Sequence, residues 1–184
     1  KCKHMSTKQK LFSHFQSKTM KLPNRIVMAP MTRNFSPNNV PSNDVVSYYR
    51  RRAQGGVGLI ITEGTCVNHI ASNCYPNVPY IHGEESITGW SNVVDAVHDV
   101  GGQIAAQLWH VGAVRKMGMP PNPEVNGYGP SGMNVPGKQN REIMTLQDID
   151  LVINAFVEAA ITAKSIGFDA IELHGAHGYL LDQF

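Results

Sequence analysis

The segment from residue 168 to residue 184 reads Phe168-Asp169-Ala170-Ile171-Glu172-Leu173-His174-Gly175-Ala176-His177-Gly178-Tyr179-Leu180-Leu181-Asp182-Gln183-Phe184. Its first part is a short apolar run that follows Gly167, a pattern typical of a buried strand after a helix. Its second part places two imidazoles and a phenol within six residues, spaced by glycines that allow sharp turns. The segment therefore predicts a strand that leads into a functional loop, and the upstream chain is interpreted as its scaffold.

Strands and helices alternate along that upstream chain. Apolar and β-branched runs predict three earlier strands, at 25–33, 57–62 and 103–109. Capping residues and terminal glycines predict three helices, at 42–54, 84–100 and 146–166, with Ser42 and Thr145 as N-caps.

Two further segments are not part of this alternation. The mixed segment 11–22 predicts a short turn or hairpin before the first strand. The segment 110–144, rich in Pro, Gly and Asn, predicts a functional or covering loop, because a loop of this length inside a domain has no core of its own.

Regular strand–helix alternation predicts a parallel sheet with right-handed crossovers. Such a sheet either stays open or forms half of an eight-stranded barrel. The chain has neither the Gly-x-Gly-x-x-Gly nor the Gly-Lys-Ser/Thr phosphate motif of the open sheets. Polar or small residues instead fall at the carboxyl ends of the predicted strands, where barrel enzymes carry their chemistry: Thr32, Gly64, Gln107 with Trp109, and His174.

The predicted fold class is therefore α/β, a TIM (β/α)8 barrel of which this chain supplies the first four βα units. Gln107 and Trp109 are two residues apart, so both are expected on one face of their strand. Residues 5–184 are interpreted as the N-terminal half of a single barrel domain. Residues 1–4, which precede Met5, are interpreted as an addition outside that domain.

Composition excludes several functional classes. The chain is 42% hydrophobic with a net charge of +2, which supports a globular core and argues against a nucleic-acid surface. The run Arg50-Arg51-Arg52 is interpreted as a solvated helix face. Cys2, Cys66 and Cys74 form neither a metal nor a disulfide spacing, so a reducing, cytoplasmic location is expected. The sequence contains no secretory signal and no apolar stretch long enough for a membrane span.

The two histidines of the final loop allow three interpretations. In the first interpretation they form a metal site, with His110 as a third ligand, although no accompanying carboxylate pattern is present. In the second they satisfy loop backbone groups and have a structural role only. The favoured interpretation is that His174 and His177 both donate hydrogen bonds to one developing oxyanion, with Tyr179 as a nearby proton donor, since a phenol is protonated at neutral pH.

Four motifs, taken together, resemble the old yellow enzyme family of FMN-dependent ene-reductases on a (β/α)8 barrel. The motifs occur in family order: Met28-Ala29-Pro30-Met31-Thr32-Arg33, Gly55-Gly56-Val57-Gly58-Leu59-Ile60-Ile61-Thr62-Glu63-Gly64-Thr65, Gln107-Leu108-Trp109-His110, and His174-Gly175-Ala176-His177-Gly178-Tyr179-Leu180-Leu181-Asp182-Gln183-Phe184. The resemblance runs from about residue 11 to residue 184, and its last motif is the most specific.

This resemblance implies a set of FMN-binding residues. The segment Ala29-Pro30-Met31-Thr32 resembles the one that lies along the isoalloxazine, with Thr32 bonded to a flavin carbonyl. Gly64 resembles a backbone contact to the flavin, and Gln107 resembles the amide that binds its pyrimidine edge. His174 is expected to contact the flavin as well as the substrate.

The resemblance also implies a substrate site and a reaction. His174 and His177 resemble the pair that holds the carbonyl or nitro oxygen of an activated alkene, and Tyr179 resembles the proton donor. Trp109 is expected either to form a wall of the substrate pocket or to pack in the barrel. The implied reductant is NAD(P)H.

The chain also differs from the family pattern. Ala113 and Val114 precede Arg115, where many relatives have an arginine directly after the glycine, so the role of Arg115 is open. Four strands, a flavin-contacting arginine and the phosphate-binding loops are missing from the sequence. The expected partner is therefore a complementary C-terminal half, in the same or a separate chain.

Two alternatives remain. One is a larger iron–sulfur flavoprotein of the dienoyl-CoA reductase or amine dehydrogenase type. The other is a half-barrel that self-associates through its open edges, as a homo-oligomer.

Overall fold

A four-stranded parallel sheet organises the computed structural model, which describes residues 7–184. The helices are α1 (Thr7–Leu11), α2 (Asn43–Gln54), α3 (Glu84–His98) and α4 (Leu146–Ser165). The strands are β1 (Phe15–Gln16), β2 (Lys21–Leu22), β3 (Val27–Met28), β4 (Leu59–Cys66), β5 (Ile104–Trp109), β6 (Tyr128–Gly129), β7 (Met133–Val135), β8 (Lys138–Gln139), β9 (Glu142–Ile143) and β10 (Ala170–Leu173). The main sheet has the order β10-β5-β4-β3. The predicted α/β class and parallel sheet are therefore confirmed, whereas closure into a barrel stays a prediction.

The first predicted strand is much shorter than the segment 25–33. Only Val27 and Met28 pair with β4, and Pro30, two residues later, has no N–H to donate to a ladder. The backbone N–H of Arg33 donates instead to the buried carboxylate of Glu63 at 3.2 Å. The segment 29–33 therefore runs along the sheet without being part of it.

The second strand extends beyond its predicted end at Thr62, and its pairing with β5 is irregular. The register shifts between Ile61 and Gly64, because the Oγ1 atom of Thr62 accepts the backbone N–H of Gln107 at 3.1 Å in place of a ladder carbonyl. Such a bulge changes the direction of the side chains that follow it. Gly64 lies inside the strand and faces Gln107 in register.

The core lies between the sheet and helices α2, α3 and α4. On β5, Ile104, Ala106 and Leu108 pack with Trp90 and the valines of α3. The alternate residues Gln107 and Trp109 line a cavity on the opposite face. The expected period-two division of the strand is thus observed.

Both predicted N-cap residues stand at the starts of their helices, and one of them makes a side-chain capping bond. Thr145 accepts the backbone N–H of Asp148, and Asp148 accepts that of Thr145, which is a complete capping box at the start of α4. Ser42 has the extended backbone of an N-cap, but within residues 7–184 its hydroxyl makes no capping bond. Ser42 is thus the N-cap residue of α2, as predicted, although its hydroxyl does not accept a helix N–H.

Arg115 anchors the long segment 110–144. Its side chain is fully buried, and its guanidinium donates to five backbone carbonyls, those of Asn73, Met119, Pro120, Asn122 and Val125. Since a guanidinium has five N–H donors, all of its donors have a partner. The open question about Arg115 is thus answered by a structural role, and the segment folds into short strands around it.

The predicted hairpin within residues 11–22 is present as β1 paired with β2. Residues 1–4 and Cys2 lie outside the described residues. Within residues 7–184, no helix is both long and apolar enough to cross a membrane. The thiols of Cys66 and Cys74 are both free and buried.

Both edges of the main sheet leave apolar side chains exposed. At the β10 edge, Leu173 and Ile171 pair with core residues of β5 but remain exposed. Beside them lies an apolar groove of about 260 Å³ that includes Val157 of α4 and Phe184. Exposed contiguous apolar surface of this kind is typical of surfaces that bind another protein segment or a ligand.

The capping box makes a prediction about stability. Thr145→Ala is expected to lower the free energy of unfolding by about 1 kcal/mol, because the substitution leaves a helix N–H without its acceptor. Ser42→Ala is the matched control and is expected to have a much smaller effect. Urea unfolding of both variants measures the difference, and equal losses would contradict the assignment.

Candidate active site

One open cavity of about 530 Å³ lies at the carboxyl ends of the parallel strands. Its lining residues come from three separate parts of the chain: Pro30, Thr32, Gln107, Trp109, Glu172, Leu173, His174, Gly175, Ala176, His177 and Tyr179. The fold thus brings together seven of the ten residues singled out from sequence. The other three, Ala29, Met31 and Gly64, lie outside this lining, and their flavin contacts stay predictions.

A buried ion pair holds the segment that carries Thr32. The carboxylate of Glu63 is fully buried. It accepts one hydrogen bond from Nε of Arg33 at 3.1 Å and another from the backbone N–H of Arg33. The guanidinium of Arg33 lies 3.8 Å from the ring centroid of Tyr48, a cation–π contact. Thr32 is therefore adjacent to a residue whose position is determined by the core.

Gln107 is oriented by Glu172, which was not singled out from sequence. The Nε2 atom of Gln107 donates to Oε1 of Glu172 at 2.8 Å, and the two residues are paired across β5 and β10. A signal was present in the sequence, since Glu172 precedes His174 by two residues and so shares its face of the strand. This bond leaves Gln107 one amide N–H and its carbonyl oxygen for another partner.

Gly64 makes room for the indole of Trp109. A β-carbon on Gly64 would lie 2.5 Å from Cε3 and 2.9 Å from Cδ2 of that ring. The atoms nearest to this position belong to Trp109, and the predicted backbone contact of Gly64 with the flavin stays a prediction. The close contact is thus inside the protein, and it sets the position of the cavity wall.

Trp109 forms the centre of a ring cluster. The ring of His174 is stacked with the indole at a centroid distance of 5.8 Å, and Tyr179 meets it edge-on at 4.9 Å. His174 also has the ring of Tyr179 at 4.9 Å and that of His177 at 5.4 Å. The two imidazoles and the phenol therefore converge as the sequence predicts.

The electrostatics of the cluster favour neutral imidazole. Burial lowers the pKa of His174, and the nearby His177 lowers it further. A neutral imidazole retains one N–H, so His174 is able to donate a hydrogen bond at neutral pH without carrying charge.

The loop that carries these rings is held by its own hydrogen bonds. Gln183 donates from Nε2 to the carbonyl of Gly178 at 2.7 Å and accepts the backbone N–H of Ala113 at 3.0 Å. The backbone N–H of Leu180 donates to the carbonyl of His110 at 3.1 Å. His177 has a left-handed backbone, with φ 60°, an uncommon conformation for a residue with a side chain. The loop is thus preorganised by its contacts with the segment 110–144.

His110 is paired with His69, away from the two loop histidines. Nε2 of His110 lies 2.9 Å from Nδ1 of His69. Since Nδ1 of His69 also accepts from Ala71, and Nδ1 of His110 accepts from Gly112, the shared proton belongs to Nε2 of His110. Within residues 7–184, no group of three His, Cys, Asp or Glu side chains is arranged to hold a metal ion.

Comparisons with known proteins agree with this geometry. The model of the NADH:flavin oxidoreductase / NADH oxidase family matches residues 10–184. The chain is 37% identical over 188 residues to a putative 12-oxophytodienoate reductase 4 of Oryza sativa subsp. japonica, covering 95% of this chain and 47% of that protein. It is 42% identical over 172 residues to a putative 12-oxophytodienoate reductase-like protein 1 of Arabidopsis thaliana, covering 91% and 52%.

Solved structures give the same result. Morphinone reductase superposes with a TM-score of 0.84 at 33% identity, over 92% of this chain and 49% of that one. The old yellow enzyme homologue from Zymomonas mobilis superposes with a TM-score of 0.83 at 32% identity, over 94% and 50%. The chain spans about half the length of the curated relatives it matches.

The sheet and its cavity define the class of the protein, a parallel α/β chain with a candidate site at the carboxyl ends of its strands. The chain belongs to the NADH:flavin oxidoreductase / NADH oxidase family, and the resemblance to the old yellow enzymes is confirmed. FMN is the cofactor of this family, and a nicotinamide nucleotide is its reductant.

The contact between Gly64 and Trp109 predicts a specific intolerance. Gly64→Ala is expected to lower the free energy of unfolding by about 1–3 kcal/mol, because the rigid indole must move from its packed position. Gly175→Ala is the control, since its new methyl group would meet its nearest atom at 4.0 Å. Urea unfolding and near-ultraviolet circular dichroism measure stability and the indole environment. An unchanged Gly64→Ala variant would contradict the described packing.

The buried histidine pair predicts loss of stability in mild acid. Burial lowers the pKa of His110 well below 6.5, and His69 lowers it further, so below about pH 6.5 the unfolded chain binds more protons than the folded one. Stability is therefore complete above about pH 6.5 and decreases on acidification, by up to about 1.4 kcal/mol per pH unit for this group.

Urea unfolding at a series of pH values measures this slope. His110→Gln is expected to flatten it, whereas the same substitution at the exposed His14 is expected to leave it unchanged. A slope that is independent of residue 110 would assign the acid sensitivity to other groups.

Proposed function

We propose that this chain is the N-terminal half of an FMN-dependent ene-reductase that reduces activated C=C bonds with hydride from NAD(P)H. Its substrates are α,β-unsaturated carbonyl compounds and nitroalkenes. The observation that carries the proposal is the cavity at the strand ends, where His174, His177 and Tyr179 share one space with Gln107 and Thr32. The family and the names of the relatives support it.

The chemistry of the cavity wall fits a flavin. Its bond to Glu172 leaves Gln107 one amide N–H that can donate and a carbonyl oxygen that can accept. The pyrimidine edge of a flavin, on which hydrogen-bond donors and acceptors alternate, requires both. Thr32 adds a hydroxyl, and Pro30 adds an apolar surface to the same wall. When bound, FMN supplies the hydride that reaches the β-carbon of the alkene.

His174 and His177 bind the oxygen that activates the alkene. Negative charge develops on this oxygen while the β-carbon gains hydride, and two N–H donors placed beforehand stabilise it as in an oxyanion hole. Because the pKa of His174 is lowered, it acts here as a neutral donor. Stacking on Trp109 fixes the plane in which it donates.

Tyr179 protonates the α-carbon. Its ring is held at the edge of both Trp109 and His174, and its backbone belongs to the preorganised terminal loop. Proton transfer from this hydroxyl completes the reduction on the substrate. Trp109 serves two purposes in this arrangement, as a wall of the cavity and as the packing centre of the donors.

The site requires a second half of the domain. We propose that a C-terminal half, in the same or a separate chain, pairs with the open edges β3 and β10 and completes an eight-stranded barrel. That half is expected to supply the arginine and the phosphate-binding loops that complete the FMN site. The apolar groove at α4 and β10 is the surface it covers.

A second candidate is a half-barrel that associates with its own copies. The exposed side chains of Leu146, Ile161 and Phe184 favour this alternative, at 81%, 63% and 67% exposure. Native mass and the visible spectrum separate the two. Self-associated chains of 184 residues without a yellow chromophore would support the second candidate. The iron–sulfur alternative needs a cysteine cluster outside residues 7–184. Within the described residues, the free cysteines are Cys66 and Cys74, and both are buried.

Tyr179→Phe tests the proposed reaction in the completed protein. Reduction of the flavin by NAD(P)H is expected to be nearly unchanged, because it needs no protein acid. Reduction of an enone is expected to be slower by about 10²–10⁴-fold, the usual contribution of a positioned general acid. Stopped-flow absorbance of the flavin follows the two half-reactions separately.

Tyr80→Phe is the matched control, since this partly buried ring, like that of Tyr179, packs against the buried residues around Trp109 but lies outside the cavity lining. If Tyr179→Phe slowed both half-reactions equally, the phenol would have a structural role. If it slowed neither, the proton would come from another source.

A further inference from the structure

Tyr75 lies behind the cavity, in the connection between β4 and α3. Its hydroxyl oxygen is 3.1 Å from that of Tyr179, and its ring is stacked on the indole of Trp109 at a centroid distance of 5.6 Å and an angle of 18°. It lies outside the residues that line the cavity. Tyr75 therefore has access to the candidate proton donor without direct access to a substrate in this cavity.

Two contacts hold Tyr75 in place. Its backbone N–H donates to Oδ1 of Asn73 at 2.9 Å, and the carbonyl of Asn73 accepts from the buried guanidinium of Arg115. The position of the Tyr75 ring is thus determined from both sides, by this anchored turn and by Trp109. A hydroxyl held in this way has little freedom to leave its partner.

The direction of the hydrogen bond follows from the demands on Tyr179. Its one proton is required on the cavity side, so its oxygen accepts the proton of Tyr75. Burial raises the pKa of Tyr75, and the hydrogen bond to Tyr179 raises it further, so Tyr75 stays protonated and available as a donor. Tyr75 is only partly buried, so water can restore its proton.

We propose that Tyr75 is a positioning residue that orients the Tyr179 hydroxyl and returns a proton to it as that hydroxyl protonates the substrate. This proposal rests on the proposed function, in which Tyr179 protonates the α-carbon. The Oη–H bond of Tyr179 breaks as the Cα–H bond of the product forms. In the same step the Oη–H bond of Tyr75 breaks as that of Tyr179 forms again, and Tyr75 afterwards binds a solvent proton. No electrons are exchanged in this relay.

The hydrogen bond itself is tested without the flavin. In the completed protein lacking FMN, labelled with ¹³C at the Cζ carbon of tyrosine, Tyr75→Phe is expected to move the resonance of Tyr179, which is assigned by its loss in Tyr179→Phe. Tyr80→Phe is the control and is expected to leave the resonance in place. If the chemical shift of the Tyr179 resonance were unchanged in Tyr75→Phe, the proposal would be overturned.

The function of the bond is tested in the completed protein with FMN. Tyr75→Phe keeps the stacked ring and removes only the hydroxyl. It is expected to slow enone reduction about fivefold, the rate equivalent of one lost hydrogen bond, and to leave flavin reduction unchanged. In a Tyr179→Phe background the same substitution is expected to have no further effect, because Tyr75 acts only through Tyr179.

The dependence of the rate on the fraction of deuterium oxide gives an independent measurement. A curved dependence in the unsubstituted protein and a linear one in Tyr75→Phe are expected, since only the former moves two protons. Equal slowing by Tyr75→Phe with and without Tyr179 would reduce Tyr75 to a packing role and overturn the relay. If Tyr179→Phe alone had no effect, the assigned proton donor would be wrong; if it slowed enone reduction while Tyr75→Phe did not, only the relay would fail.

Discussion

The packing of the Trp109 indole on the bare backbone of Gly64 is the contact on which the site depends. It is tolerated only because residue 64 has no β-carbon, which would lie 2.5 Å from the ring. Once placed, the indole stacks with Tyr75 and His174 and meets the edge of Tyr179. One large rigid ring thus sets the positions of three functional groups from separate parts of the chain. The cost in conformational entropy is small, because only the two side-chain torsion angles of Trp109 have to be ordered.

Burial keeps two of the polar groups around this ring, His174 and Tyr75, neutral. Desolvation lowers the pKa of His174 and raises that of Tyr75, so both are neutral donors at physiological pH. Charge is instead paired where it has a structural purpose, as in the contact of Arg33 with Glu63 and in the five carbonyls around Arg115. A site of neutral donors in a low-dielectric wall is suited to stabilise charge that appears only during a reaction.

The same sheet that gathers these groups is open at both edges. A parallel sheet is normally buried on both faces, and here the outer side of β10 leaves Leu173 and Ile171 exposed beside an apolar groove. The relatives, about twice as long as this chain, provide an explanation, since further strands and helices would cover these surfaces.

Sequence by itself determined the alternation of elements, the parallel α/β class, the family and most of the cavity lining, because strand periodicity and glycine-spaced histidines are local patterns. Tertiary structure alone decided the remainder. The bulge at Thr62 lies just before Gly64, and the carboxylate of Glu63 holds the backbone at Arg33. Glu172 bonds to Gln107, and Tyr75 bonds to Tyr179. Each of these depends on atoms that are distant along the chain and meet only after the strands have paired, so no local pattern encodes them.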